Sequence, residues 1–165
     1  MALARLIAGE EPGTYVVPAA VTEAELLDLA KKIARRRLAR GRPLSNPEEV
    51  RRALQTLLLD YQHEVFGLLL LDNRHRILRF MELFRGTINS ASIYPREVVK
   101  ETLLANAAAV ILVHNHPSGE TEPSQADKLI TQRLSHALNT VEVRVIDHVV
   151  VGSEGYTSFA EQGLI

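Results

Sequence analysis

Two histidines and an aspartate in one short stretch of the sequence have the types and spacing of metal ligands. His114 and His116 follow an apolar run over residues 107–113 that predicts a buried strand, and alternate residues of a strand point to the same side. Asp127 falls in the first turn of a helix that the amphipathic pattern from Ser124 predicts. Two imidazoles and one carboxylate leave one coordination position open, which is the donor set of a catalytic zinc ion.

Structural roles offer an alternative interpretation of the same residues. Two histidines separated by one residue are a weak signal, and Ser124 with Asp127 is nearly the capping box that begins many helices. The combination is more specific, because a Pro-Ser-Gly turn over residues 117–119 can fold Asp127 back toward the histidines. The chemistry of these residues therefore favours a metal site over coincidence.

The complete spacing resembles a known motif. The pattern His-x-His-Pro from His114, six further residues and then Ser-x-x-Asp from Ser124 is similar to the JAMM motif of JAB/MPN metalloproteases. Flanking segments narrow the resemblance to the bacterial RadC-like proteins, over residues 45–165. These segments are residues 64–66, 71–72, 83–87, 95–100, 115–119, 147–148 and 158–160.

This resemblance implies an α/β domain of the α+β type with the MPN/JAB fold, similar to cytidine deaminases, in which helices flank a central mixed β-sheet. We expect that domain over residues 45–165, after an N-terminal helical extension, a leader and a basic helix, over residues 1–44. The resemblance also implies one zinc ion per chain, bound by His114, His116 and Asp127. The reaction it implies is hydrolysis of a peptide or isopeptide bond, in a peptide or a protein conjugate.

Two catalytic assignments also depend on the resemblance. Glu64 matches the family's general base at the start of the first core strand, and Ser124 matches the serine expected to support the oxyanion. Without the family, Glu64 would be interpreted as a half-exposed carboxylate at a strand end. His148 follows Asp147 in a pair that the family shares. This suggests a residue that contacts the metal ligands rather than the metal, or one on the substrate side. The other histidines, His63, His75 and His136, are expected at the surface.

The composition is that of an ordinary globular domain and excludes several classes of protein. Hydrophobic residues make up 46% and charged residues 24% of the chain, and the net charge of −1 gives no sign of a nucleic-acid partner. The sequence has no cysteine, which excludes disulfides and cysteine-ligated zinc. No apolar run reaches the ~18 residues of a membrane span and no signal peptide is recognisable, so we expect a cytoplasmic protein.

Caps and periodicity mark the elements that position these residues. After an extended leader over residues 1–20, one helix begins at Thr22 and ends at Gly41, and a second begins at Asn46. The apolar stripe is Leu26, Leu29, Ala30, Ile33 and Ala34 in the first helix, and Val50, Ala53, Leu54, Leu57 and Leu58 in the second. Further on, the pattern predicts strands over residues 65–71, 76–84 and 141–151, the last bending near Asp147, and a helix over residues 95–105.

The end of the first helix is strongly basic, and two interpretations compete for it. Its cations are Lys31, Lys32, Arg35, Arg36, Arg37 and Arg40. They can form a solvated face at a helix C-terminus, where the dipole favours positive charge, or a phosphate-binding patch. Upstream acidic residues and the lack of interleaved aromatic residues favour the solvated face, so we expect weak DNA contact at most.

The alternative function is a DNA-repair or mobile-element-associated factor that binds or processes DNA and uses the same metal domain. Longer RadC-like proteins carry a DNA-repair name and a helix-hairpin-helix domain, of which this sequence holds at most the last helix. The first helix could equally serve a homodimer interface.

Overall fold

The computed structural model describes residues 7–87 and 93–165, which form a mixed sheet with helices on both faces. In chain order the elements are β1 (Ile7–Ala8), β2 (Tyr15–Val16), α1 (Glu23–Arg37), α2 (Pro47–Leu58), β3 (Val65–Leu71), β4 (Ile77–Arg85), α3 (Pro95–Leu104), β5 (Ala109–Asn115), α4 (Gln125–Thr140), β6 (Arg144–Gly152) and β7 (Gly155–Ser158).

The main sheet has five strands in the order β4-β3-β5-β6-β7. Strand β3 is antiparallel to both β4 and β5, β5 is parallel to β6, and β6 is antiparallel to β7. Parallel strands need a crossover connection, which here passes through α4. The mixed sheet and its flanking helices confirm the expected α+β fold, and they put α4 directly after the strand that carries the histidines.

Alternate residues of the central strands pack into two separate hydrophobic layers, one on each face of the sheet. Leu69 of β3 packs with α2 and the end of α1, whereas Leu68 and Leu70 pack with α3 and α4. All seven residues of both β3 and β5 are buried, because helices cover the sheet on each side. His114 belongs to the same alternate set as Leu112, so its side chain points toward the layer of α4.

Helix starts follow the predicted caps. Thr22 and Glu25 form a complete capping box at α1, and the Asn46 side chain accepts a hydrogen bond from the backbone N–H of Glu49 at α2. The predicted apolar stripe of α2 is buried throughout. In α1, however, Leu29 and Ala34 are buried while Leu26 is 49% exposed, so the predicted stripe of the first helix is only partly correct.

Several predicted boundaries differ from the structure, most of them by one or two residues, such as those of β5, which begins at Ala109 and includes His114. The leader contains a short hairpin, β1 with β2, rather than only an extended chain, and its first six residues lie outside the described ranges. Helix α1 ends at Arg37, before the turn in which Gly41 has a positive φ of 85°. Residues 141–143 are not a strand, because α4 continues to Thr140 and a turn with Glu142 at φ 58° precedes β6.

A buried ion pair joins α2 to the last strands. The carboxylate of Asp147, only 4% exposed, accepts hydrogen bonds from Arg51 Nε at 3.2 Å and from Ser158 Oγ at 2.8 Å. It also accepts from the backbone N–H groups of His148 and Ala160. Arg51 is further paired with Glu161. No local sequence pattern indicates this partnership, because Arg51 and Asp147 are 96 residues apart in the chain.

Replacing Asp147 by Asn should destabilise the fold. The change leaves the buried Arg51 guanidinium without its main counter-charge, and breaking a buried pair in this way costs about 3–5 kcal/mol; we expect the lower end because Glu161 remains. Urea unfolding followed by circular dichroism measures the free energy of unfolding. Glu97→Gln breaks the exposed pair with Lys100 and serves as control, with a much smaller expected loss because solvent screens surface ion pairs. Equal losses in the two variants would contradict the prediction.

Candidate metal centre

Three side chains converge where β5 meets the start of α4. His114 lies near the end of β5, His116 follows that strand, and Asp127 lies in the first turn of α4. His114 Nε2 is 3.0 Å from Asp127 Oδ1, His116 Nε2 is 3.2 Å from Asp127 Oδ2, and the two Nε2 atoms are 2.9 Å apart. Within residues 7–87 and 93–165, this is the one group of three such side chains close enough to share a metal ion.

The loop between the histidines and α4 is held against the end of β6. The backbone N–H of His116 donates to the carbonyl of Val151 at 2.9 Å, and that of Gly119 donates to the carbonyl of His116 at 2.9 Å. Gly119 has a φ of 92°, and a Cβ on Gly152 would lie 2.2 Å from the carbonyl oxygen of Gly119. The two glycines therefore let the loop turn tightly and return the chain to the histidines.

Hydrogen bonds set which nitrogen of His116 faces the site. His116 Nδ1 lies 3.0 Å from the carbonyl oxygen of Glu120, which can only accept a hydrogen bond. Nδ1 therefore carries a hydrogen, and in the neutral ring the lone pair is on Nε2, toward Asp127. His114 likewise presents Nε2 to Asp127, while its Nδ1 lies 2.8 Å from His148 Nε2.

The charges of the group suit a cation. Burial alone would raise the pKa of Asp127, but the close contacts with the imidazoles of His114 and His116, which donate when protonated, and the hydrogen bond from Ser124 hold that pKa well below its usual range, so the carboxylate is ionised. The hydrogen bond to Asp127 raises the pKa of His116 against the effect of burial, while burial lowers the pKa of His148 well below the usual value. A carboxylate and two imidazole nitrogens aimed at one point form a donor set that fits a divalent metal ion.

Glu64 directly precedes β3 and His116 directly follows β5. Phe66 is paired with His114 in the antiparallel ladder, so continuing the register puts Val65 opposite Asn115 and Glu64 opposite His116. Residues directly opposite each other project from the same face of a sheet. The negative charge of half-buried Glu64 also contributes to the raised pKa of His116.

Asn115, the residue between the two histidines, fixes the chain around Glu64. Its Oδ1 accepts from the backbone N–H of Val65 at 2.7 Å, and its Nδ2 donates to the carbonyl of His63 at 3.0 Å. The carbonyl of Glu64 itself accepts from the backbone N–H of Gly86 at 3.0 Å. Asn115 was not predicted as a functional residue, although it lies between the two histidines of the motif.

Ser124 caps the start of α4, in agreement with the capping pattern in the sequence. Its Oγ accepts from the backbone N–H of Asp127 at 3.1 Å, and its own backbone N–H donates to Asp127 Oδ2 at 2.7 Å, completing a capping box. Accepting one hydrogen bond leaves the hydroxyl hydrogen able to donate elsewhere. The cap therefore does not conflict with a role at an oxyanion.

The other histidines separate into two groups. His63 and His136 are exposed, and half-buried His75 lies 3.3 Å from a guanidinium nitrogen of Arg144, away from the metal ligands. His148, in contrast, is fully buried and lies directly behind His114. No helix in the described ranges is long and apolar enough to cross a membrane.

Comparison with known proteins identifies the class to which this fold and site belong. A protein-family model described as RadC-like JAB domain matches residues 44–164. The match covers most of the chain, and the protein therefore belongs to the RadC-like JAB domain family. This confirms the resemblance drawn from the sequence.

Similar proteins carry a name that states no activity. A UPF0758 protein of Vibrio cholerae is 52% identical over 149 residues, which cover 90% of this chain and 94% of that protein. UPF0758 proteins of Shewanella baltica and Shewanella oneidensis are 55% identical over 138 residues, which cover 84% of this chain and 61% of theirs. The chain therefore spans less than two thirds of the Shewanella relatives.

From this donor set we predict that each chain binds one zinc ion and that the His116→Ala variant does not. Removing one of three donors should abolish tight binding, and the protein should stay folded because the core strands do not depend on the metal. Metal content after dialysis, with circular dichroism as a check on folding, measures both effects. His136→Ala removes an exposed histidine from α4 and should keep its zinc. Stoichiometric zinc in the His116→Ala protein would mean that the ligands lie elsewhere.

Proposed function

We propose that the protein is a zinc-dependent hydrolase that cleaves a peptide or isopeptide bond. The observation that carries this proposal is the convergence of His114, His116 and Asp127, and the strand register, continued by two residues, sets Glu64 opposite His116. Membership of the RadC-like JAB domain family supports a metal-dependent hydrolase. The bond that is cleaved follows from the resemblance to JAMM metalloproteases, since the names of the relatives state no substrate.

The roles of the residues follow from their positions. Zinc at this donor set supplies Lewis acidity, which lowers the pKa of water to about 7. Glu64 accepts the proton of the attacking water and returns it to the leaving amine. The hydroxyl of Ser124 donates a hydrogen bond to the oxygen of the scissile carbonyl as negative charge develops there.

Burial indicates the side from which a substrate approaches. The side chains of His114 and Asp127 are 1% and 5% exposed, whereas that of His116 is 15% exposed and Glu64 is half-buried. These exposures indicate that the site opens on the side of His116 and Glu64. A carbonyl entering from this side meets Glu64 without displacing any of the three metal ligands.

Glu64→Gln tests the general base. Glutamine keeps the size and polarity of the side chain but cannot accept the proton of water, so turnover should fall by about 10²–10⁴-fold with zinc content unchanged. A peptide-library screen with a chelator control supplies the substrate, and turnover and metal content are then measured on the same samples. A Glu64→Gln protein as active as the wild type would exclude this mechanism.

Ser124→Ala is the companion variant. It removes the oxyanion donor, worth about 10²–10³-fold in turnover, and also the helix cap, worth about 1 kcal/mol of stability. Thr22→Ala removes the matching cap of α1 and controls for the loss of stability. If both variants lose stability alike and only Ser124→Ala loses turnover, the serine acts in catalysis.

The basic residues at the end of α1 are better interpreted as a solvated face than as a DNA-binding patch. Several of its cations already have partners: Lys31 binds Asp60 at 2.8 Å, Arg37 pairs with Glu49, and the Arg36 guanidinium lies 5.5 Å from the centre of the Tyr15 ring. Lys32, Arg35 and Arg40 are exposed. We therefore retain the solvated face as the better interpretation, and a homodimer through this region also stays a prediction.

Duplex DNA binding is expected to be weak and strongly salt-dependent. A handful of phosphate contacts by α1 would each add close to one unit to the slope of log affinity against log salt concentration. Fluorescence anisotropy with labelled duplexes of two sequences, over a range of salt, measures both slope and specificity. Lys32→Gln with Arg35→Gln should reduce the slope. Sequence-specific binding that persists above physiological salt would reverse the ranking of the two functions.

A further inference from the structure

We propose that His148 and Thr131 are positioning residues that hold His114 ready to bind a metal through Nε2. They form a buried hydrogen-bonded relay from β5 through β6 to α4, behind the three ligands. The proposal rests on the metal site proposed above but not on hydrolysis, so metal affinity can test it without a substrate.

The relay consists of three short contacts. His114 Nδ1 lies 2.8 Å from His148 Nε2, and His148 Nδ1 lies 2.6 Å from Thr131 Oγ1. Thr131 Oγ1 lies 2.6 Å from the backbone carbonyl oxygen of Asp127, one turn earlier on α4. The relay therefore begins at one metal ligand and ends at the peptide group of another.

The carbonyl at the end of the relay fixes the direction of every hydrogen bond in it. A carbonyl oxygen only accepts, so the single hydroxyl hydrogen of Thr131 is donated to Asp127. Thr131 Oγ1 must then accept from His148 Nδ1, which leaves His148 Nε2 of the neutral ring as an acceptor. His148 Nε2 consequently accepts from His114 Nδ1, and the lone pair of neutral His114 lies on Nε2, the atom that faces Asp127.

Packing holds the central ring of the relay in place. His148 is fully buried, stacked on Phe159 with ring centroids 4.7 Å apart and meeting Phe66 edge-on at 5.8 Å. Phe66 is also the strand partner of His114. A ring confined on these sides keeps its nitrogens aligned with Thr131 and His114, so the ligand orientation is set before a metal ion arrives. Hydrogen bonds to a metal ligand from residues that do not touch the metal typically contribute about 10–100-fold to metal affinity.

Two variants interrupt the relay at different points. His148→Phe retains an aromatic ring against Phe159 but offers no nitrogen to His114, and zinc affinity should fall by about 10–100-fold. Thr131→Val removes the hydroxyl that fixes the His148 ring, and the loss should be smaller, up to about 10-fold, because it acts through His148. Competition with a chromophoric chelator measures the dissociation constant of zinc, on samples whose folding is verified by circular dichroism.

The chain offers a closely matched control for Thr131→Val. Thr102 is also fully buried on a helix, and its Oγ1 also donates to a backbone carbonyl, that of Val99 at 2.8 Å, but it lies on α3 and has no contact with the histidines in the described hydrogen bonds. Thr102→Val should lose similar stability without losing zinc affinity. Thr131→Ser, which keeps the hydroxyl, should bind zinc within about 3-fold of the wild type.

Nuclear magnetic resonance of ¹⁵N-histidine-labelled protein supplies a readout independent of affinity. The wild type should show slowly exchanging hydrogens on Nδ1 of both His114 and His148, and the His114 signal should be lost in His148→Phe. Unchanged zinc affinity in both variants, or a hydrogen on Nε2 of His114 in the metal-free wild type, would overturn the relay. If the wild type binds no zinc, the metal site itself is overturned. If the two variants bind zinc as tightly as the wild type, only the relay is overturned.

Discussion

The antiparallel register of β3 against β5 is the constraint on which the site depends. Pairing of Phe66 with His114 is what brings Glu64 opposite His116, since the sum of paired positions is constant along the ladder. A slip of one residue would turn Glu64 to the other face of the sheet, away from the histidines. Burial of both strands on both faces opposes such a slip. The side-chain amide of Asn115 also makes two hydrogen bonds that can form in only one register.

Asp127 shows how a structural and a chemical role can share one side chain. The sequence left two interpretations open, a helix cap and a metal ligand, and the geometry makes them compatible. Oδ2 accepts from the backbone N–H of Ser124, while both carboxylate oxygens face imidazole nitrogens. Each carboxylate oxygen has more than one lone pair, and the N-terminal end of α4 favours negative charge. The capping box thus aims the carboxylate that the metal would bind.

What the sequence could predict was local, and what it missed was distant in the chain. Caps at Thr22 and Asn46 and the buried run of β3 follow from neighbouring residues, so they were predictable. Glu64 was found only through the family, because nothing near it in the sequence indicates His116 as a neighbour. The contact of His148 with His114 joins residues 34 positions apart, and no short-range pattern encodes it. Leu26 was misplaced because helical periodicity does not tell which turns of α1 have a layer to pack against.

A single irregularity in β6 links the two layers of the protein to the site. Register with β5 skips one residue, so that Val145 pairs with Val110 but Asp147 pairs with Ile111. The skipped position, Ile146, reverses the alternation of every residue that follows. Asp147 consequently faces α2, where Arg51 binds it, and His148 faces α4 and His114. In an unbroken strand His148 would align with Val113 and point into the α2 layer, away from the ligands. The bend predicted near Asp147 is therefore more than a local deviation, since it determines which face of the sheet receives the imidazole and which receives the carboxylate.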